Sequence, residues 1–392
     1  MMCSAGLFAI FSSTLSKSPV LPLFASHLGA TASGVGVVAA ISTLAGIVFS
    51  IPAGLLSDRF GRKTMLMAAG VVFASAPALY LFTNHLWQLA AVRFYHGLAT
   101  AIFMPVAMAF VSDLHEEAKG EKLGWFSTAT LFGRFLAPLA GGALLGFLGS
   151  SSDQAFASIY FFCLVGGVFA FFIILKVPSP ENRPQPPKSW KDTTAGISQL
   201  VSSGPLLSLG IVEAAVLFMY GTIEVFLPLY ALSRGIGTFE IGACLSVQVI
   251  TLAATKPVMG KLSDQYGRFG QIVWGALLGV VAAASMAYFS SFISILILSV
   301  LIGLSLSIVT SATSAAVADI SRCEMRGSAM GIFGTIMDVG HSAGPLVSGV
   351  VAAYLGYQAA FVGAAIVLAV SMVAFFLTTF NKLNPCRIGE QL

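Results

Sequence analysis

Residues 54–63 read GLLSDRFGRK, and residues 260–269 read GKLSDQYGRF. The two segments lie 206 residues apart. The same offset relates LPLFA at 21–25 to LPLYA at 227–231, Gly97 to Gly303, and Asp113 to Asp319. One residue is then gained. Gly124, Gly133 and Pro138 match Gly331, Gly340 and Pro345 at an offset of 207. A near-constant offset across five blocks is not produced by chance. The chain is therefore read as two similar halves.

Composition sets the solvent in which those halves fold. Of 392 residues, 57% are hydrophobic and 9% charged, with a mean hydropathy of +0.91. Soluble domains carry roughly 25% charged residues, so the deficit points to a lipid bilayer. The length suits about twelve spans of ~20 residues. Apolar runs place them near 5–26, 34–56, 64–83, 86–111, 122–147, 156–176, 205–231, 239–262, 271–290, 292–317, 328–353 and 359–380. Backbone groups in hydrocarbon must pair internally, so these runs are expected to be helices. The net charge of +4 gives no reason to invoke nucleic acid. The five cysteines form no CxxC pair and no zinc-ligand spacing, and read as small apolar fillers. The N-terminus has no basic region and no A-x-A site, and reads as the start of a retained first span.

Lys and Arg residues set the orientation. The even-numbered connections and the C-terminal tail hold Arg59, Arg62, Lys63, Lys119, Lys122, Lys176, Arg183, Lys188, Lys191, Lys261, Arg268, Arg322, Arg326, Lys382 and Arg387. The odd-numbered connections hold only Arg234. Both termini are accordingly expected in the cytoplasm, with the chain in the inner (cytoplasmic) membrane. The expected organisation is an N-terminal six-helix bundle over 1–176, a proline-rich cytoplasmic linker over 177–204, a C-terminal six-helix bundle over 205–381 and a tail over 382–392.

At 54–63, Gly54 is expected to permit close helix approach, Asp58 to accept from helix amides or pair with an arginine, and Arg59, Arg62 and Lys63 to hold the loop at the cytoplasmic side. One reading is a topology anchor with a tight turn. Another is a latch that closes one face and releases in turnover. The segment resembles the signature loop of the major facilitator superfamily, and the resemblance covers almost the whole chain. It implies an all-α membrane protein, with twelve transmembrane helices in two pseudo-symmetric six-helix bundles. It also implies a cytoplasmic gate from Gly54, Asp58, Arg59, Gly61, Arg62 and Asp113, with Gly260, Asp264, Gly267, Arg268 and Asp319 in the second copy.

A second block, in span 5, combines Gly124, Gly133, Ala137-Pro138 and Gly141-Gly142. Small residues let membrane helices pack closely, and proline bends a helix. The block resembles the antiporter motif of the drug:proton antiporter branch, which is associated with export, except that Ala137 stands where that pattern has Gly. It recurs in span 11 as Gly331, Gly340, Gly344-Pro345 and Gly349, so repeat architecture explains it equally well. A third block, RFYHGLATAIFMP from Arg93, resembles the family's fourth-span motif, whose arginine is implicated in proton transfer. The second half has Ser299 in place of Arg93, so this arginine is not repeat scaffolding.

Ionisable residues within spans are functional hypotheses by default. The first half contributes Lys17, Arg93 and Arg134; the second contributes Glu213, Glu224, Asp338 and Lys256. A cavity between the halves is expected to have a basic and a mostly acidic wall. Eleven residues at ~100° place Glu213 and Glu224 within roughly 20° of each other on one helix face, with Tyr220 on the same stripe. Glu224 is the deeper residue. Either it exchanges protons or it pairs permanently with Lys17, Arg93 or Arg134. Glu213 is nearer the cytoplasmic end, where solvation is the alternative reading. Asp338 and His341, three residues apart, can face each other and form a second proton-handling pair; His341 also fits a hydrogen-bonded core role. His96 reads as a packing residue or a cargo contact. Arg134 suits an anionic cargo group or a carboxylate partner, and Lys256, before Pro257, suits a cavity wall.

No nucleotide-binding loop and no zinc or catalytic constellation appears in the sequence. The expectation is a transporter and no enzyme, without cofactor or metal, working as a monomer on a small molecule and, in the leading reading, protons. That leading reading is proton-coupled export of a drug, metabolite or chelator by alternating access. Uptake or facilitated diffusion of an organic anion, and flipping of a lipid-linked substrate, are the alternatives.

Overall fold

The structure, a computed structural model, describes residues 1–114, 118–149, 152–178, 204–321 and 326–379. The expected linker lies outside the described residues from 179 to 203, as does the expected tail at 382–392. Among the described residues all regular structure is helical, as an apolar solvent requires of a chain that must pair its own backbone. The helices are α1 (Met2–Leu15), α2 (Val20–His27), α3 (Ala32–Phe60), α4 (Arg62–Tyr80), α5 (Leu86–Leu114), α6 (Lys119–Leu148), α7 (Asp153–Lys176), α8 (Gly204–Ser233), α9 (Thr238–Tyr266), α10 (Arg268–Met286), α11 (Phe292–Ile320) and α12 (Arg326–Thr379).

Two of these need care in counting crossings. Helices α1 and α2 form one span, interrupted by a turn at Ser16–Pro19. Helix α12 has 54 residues, or about 80 Å at ~1.5 Å per residue. A hydrocarbon layer of ~30 Å cannot hold it as one crossing. Its backbone leaves the helical region at Gly356 (φ 85°, ψ 167°), which divides it into two spans. The 11 candidate membrane helices thus give the twelve crossings expected from the sequence.

The duplication is written into the turns. Among the described residues the six positive-φ glycines fall into repeat pairs: Gly29 with Gly235, Gly61 with Gly267, and Gly149 with Gly356. Gly61 (φ 91°, ψ 142°) and Gly267 (φ 90°, ψ 147°) sit between the helices of the two signature loops. A side chain is strongly disfavoured in this region of backbone space, so the tight turn requires glycine.

The chain packs as two compact units. One is Met1–Pro187 with Glu224–Ser246; the other is Lys188–Ile223 with Val247–Leu392. Sequence repeat and packing differ over Glu224–Ser246, which belongs to the second repeat but packs with the first. Backbone approach explains why. A Cβ on Gly142 would collide with the Thr238 carbonyl oxygen, and one on Gly242 with that of Pro138. The Ser246 hydroxyl donates to the Phe135 carbonyl at 2.8 Å.

Within each unit, helices approach through equivalent glycines. A Cβ on Gly97 would lie 2.7 Å from the Ser42 carbonyl oxygen; one on Gly303 would lie 2.5 Å from that of Gln248. Ser42 and Gln248 are themselves 206 residues apart. Lipid supplies no hydrophobic drive between helices, so such close backbone contact carries much of the packing. Aromatic rings fill the remainder of the first unit, with Phe73 edge-on to Phe103 at 5.6 Å.

Candidate functional site

The signature loops form two copies of one clamp. In the first, Arg62 donates from Nε to Asp113 Oδ2 at 3.1 Å and from Nη1 to Ser57 Oγ at 2.5 Å. In the second, Arg268 donates from Nε to Asp319 Oδ2 at 3.2 Å and from Nη1 to Ser263 Oγ at 3.0 Å. The same three residues, 206 positions on, make the same bonds. Asp264 adds an ion pair to Arg268 at 2.5 Å. The side chain of Asp58 lies outside the described residues. Arg59 is exposed, with its guanidinium 5.6 Å from the centre of the Phe60 ring. Ser57 and Ser263 stand inside the quoted motif but were not singled out from sequence. Their role depends on how α3 and α9 end against the next turn.

Gly54 does not serve the close approach expected of it. No described atom lies within 4 Å of the Cβ position at Gly54, Gly260 or Gly124. The approaches occur deeper. A Cβ on Gly133 would lie 2.7 Å from the Leu7 carbonyl oxygen, and one on Gly141 would lie 3.1 Å from the Leu15 side chain. In the second unit Gly340 abuts the Ala214 carbonyl, Gly344 that of Phe218, and Pro345 packs 3.2 Å from the Cβ position of Gly221. Pro138 lies within α6, so the span-5 motif combines a proline with these close contacts.

The turn that divides span 1 positions Lys17. Leu7 and Ala214 are related by 207 and Leu21 and Leu227 by 206, so span 1 holds one more residue than span 7 between these points. The extra residue is taken up at Ser16–Pro19, whereas α8 runs unbroken. Lys17 thereby projects from the turn and donates from Nζ to Glu224 Oε2 at 2.9 Å. The side chains retain 22% and 12% of their exposure, so solvent reaches the pair. In this conformation Glu224 is paired, and of the three candidate cations Lys17 is its partner.

Arg93 is only 3% exposed. It donates from Nη2 to Ser42 Oγ at 2.7 Å and from Nη1 to the Tyr80 hydroxyl at 3.3 Å. His96 Nδ1 lies 3.3 Å from that hydroxyl and 3.4 Å from Ser16 Oγ. His96 is therefore a buried member of a polar network, inaccessible to cargo in this conformation. Repeat symmetry reappears with the roles exchanged: Gln248 donates to Ser299 Oγ at 3.2 Å, at the positions equivalent to Ser42 and Arg93. Ser42 and Tyr80 were not found from sequence, because a serine or tyrosine in a span carries no signal until its partner is known.

Glu213 corrects the reading of a solvated residue. It is completely buried within the second unit and accepts from Thr313 Oγ1 at 2.7 Å through Oε2. Neighbouring helices cover it, which distance from a span's end does not reveal. Tyr220 stacks on His341 with ring centres 5.7 Å apart and 22° between planes. Asp338 and His341 are both part-buried, and Arg134 and Lys256 are exposed.

Comparison with known proteins places the chain in a family. The Major Facilitator Superfamily model matches residues 2–296 and 234–385. A multi-drug resistance efflux pump PmrA homolog of Lactococcus lactis is 25% identical, covering 98% of this chain and 96% of its own. The multidrug resistance protein MdtG of Escherichia coli is 26% identical, covering 95% and 91%. Among solved structures, a bacterial homolog of the human lysosomal transporter Spinster, inward-facing and unoccupied, superimposes with a TM-score of 0.82 at 16% identity, covering 96% and 95%. With its family matched over residues 2–296 and 234–385, its duplicated loop built as two equivalent arginine clamps and its twelve helical crossings in place, this chain belongs to the major facilitator superfamily of membrane transporters and is no enzyme.

Proposed function

We propose that this protein exports small organic molecules across the inner membrane in exchange for protons, with both termini in the cytoplasm. The observation that carries the proposal is the Lys17–Glu224 pair, a part-exposed ion pair held at a break in span 1. A proton arriving at Glu224 cancels its charge and frees Lys17. Departure of that proton restores the pair. Moving one proton through 100 mV supplies ~2.3 kcal/mol, enough for modest concentrative export. The efflux names of the relatives support the direction. Asp338 is the second candidate for proton exchange, and Arg134 and Lys256 the candidates for contact with cargo. The Arg62–Asp113 and Arg268–Asp319 clamps are proposed to close the cytoplasmic face and release in turnover. The organic-anion alternative loses support here, because Lys17 is paired and Arg93 buried, leaving Arg134 of the three first-half cations exposed.

The test is transport in liposomes under an imposed pH gradient, with lipophilic cations, organic anions and sugars as cargo. Wild type is run beside Glu224→Gln and Asp338→Asn. Gradient-driven accumulation abolished by an acid-to-amide change supports exchange. Cargo movement indifferent to both gradient and substitutions would leave a facilitator.

A further inference from the structure

The charge of Arg93 meets only neutral hydrogen-bond acceptors among the described residues. Arg93 is buried inside the first unit, and both of its hydrogen-bond acceptors, Ser42 Oγ and the Tyr80 hydroxyl, are neutral. Its Nε has no hydrogen-bond partner, nor has Nε2 of His96 one helical turn away. Two further buried atoms nearby are equally unpartnered: the hydroxyl of Tyr160, whose ring stacks on Tyr80 at 4.4 Å, and Ser18 Oγ in the turn beside Ser16. Glu224 is engaged by Lys17.

Arg93 donates into the Tyr80 oxygen, and Ser16 donates to the Ser13 carbonyl at 2.8 Å. In the neutral tautomer where Tyr80 donates to Nδ1 of His96, the ring's proton is on Nε2. A neutral ring beside the arginine avoids a second uncompensated cation. In that tautomer the site presents two buried N–H donors, one of them on a full positive charge, with no carboxylate among the hydrogen-bond partners of Arg93 in the described residues. Buried donors left unsatisfied and buried charges left unpaired are both heavily penalised. Water satisfies donors but does not cancel charge.

We infer that this network holds a small monovalent anion of the halide class, bound by Arg93 and His96 inside the first six-helix bundle. The burial of both side chains excludes a carboxylate attached to an organic body. The ion neutralises Arg93 and ties span 4 to the broken part of span 1.

The experiment uses the full protein in detergent with sodium chloride, sodium bromide or sodium gluconate at one ionic strength. Thermal unfolding is followed against halide concentration, and line broadening of chloride-35 resonance reports binding directly. In wild type both halides should raise the midpoint saturably and gluconate should not. A hundredfold excess of halide over its Kd should raise the folded-to-unfolded ratio about a hundredfold. Bromide should reverse the chloride line broadening. Arg93→Gln should lose the halide response. Identical midpoints in halide and gluconate, or a halide response that survives Arg93→Gln, would overturn the inference. If Arg93→Gln does not fold, the line broadening of wild type decides: broadening that bromide cannot displace also overturns it.

Discussion

Breaking the Lys17–Glu224 pair from either side should cost more than removing it whole. At 2.9 Å and an effective dielectric constant of ~20, two unit charges attract by about 6 kcal/mol. Desolvation opposes most of this, and residual exposure of 22% and 12% weakens it further. A coupling of about 2 kcal/mol remains, within the usual range of ~0.5–3 for contacting residues. Lys17→Met leaves a carboxylate at membrane depth without its cation, and Glu224→Gln leaves an ammonium without its anion. The double variant leaves neither. Each single variant should lose stability, and the double should lose about 2 kcal/mol less than the sum of the two. The assay is a double-mutant cycle from denaturant unfolding in mixed micelles, with transport measured in parallel. The double variant should fold yet fail to accumulate cargo against a gradient. Strict additivity of the two single losses would show that the pair contributes nothing and would remove the basis for a proton-sensitive contact at Glu224.

Other outcomes follow from single contacts. Gly97→Ala and Gly303→Ala force a methyl against a carbonyl oxygen and should each cost about 1–3 kcal/mol in unfolding, whereas Gly54→Ala, with no described atom near its Cβ, should stay within ~0.5. Gly61→Ala must adopt a φ near 91° and should lose about 1–3 kcal/mol by the same measurement. Charge reversal in the clamp by Arg62→Asp should abolish transport, and adding Asp113→Arg should restore part of it; the stability change should remain below about 1 kcal/mol, since the pair is part-exposed. Thr313 has one hydroxyl proton for three acceptors, Glu213 Oε2 at 2.7 Å, the Val309 carbonyl at 2.8 Å and the Thr310 carbonyl at 3.3 Å. Thr313→Val removes the hydroxyl from which Glu213 Oε2 accepts and should lose about 1–3 kcal/mol in denaturant unfolding, with Thr313→Ser losing less; equal losses in the two variants would refute a role for the hydroxyl.

The order of elements was legible in the sequence because lipid leaves the backbone so few choices. Apolar run length gave the spans, and the repeat offset gave the duplicated loops whose clamps are bond-for-bond equivalent. Gly133 and Gly340 were legible as packing residues because backbone approach in a membrane tolerates little besides small side chains. Gly54 misled for the same reason: a glycine declares that it can allow close contact, not that a neighbour is there. Glu213 had two readings, and the structure gives the buried one, because burial depends on which helix lies across from it. The Ser42–Arg93 and Glu213–Thr313 partners were out of reach, since each joins residues about 50 or 100 positions apart on separate helices. Sequence alone thus determined the solvent, the helices, the duplication and the family. Only the tertiary structure decided that Lys17 meets Glu224, that Arg93 is sealed among hydroxyls and that Glu224–Ser246 packs with the first repeat. Periodicity and offset are properties of a single strand of sequence, whereas charge pairing and burial are set by close approach between helices that the chain order does not encode locally.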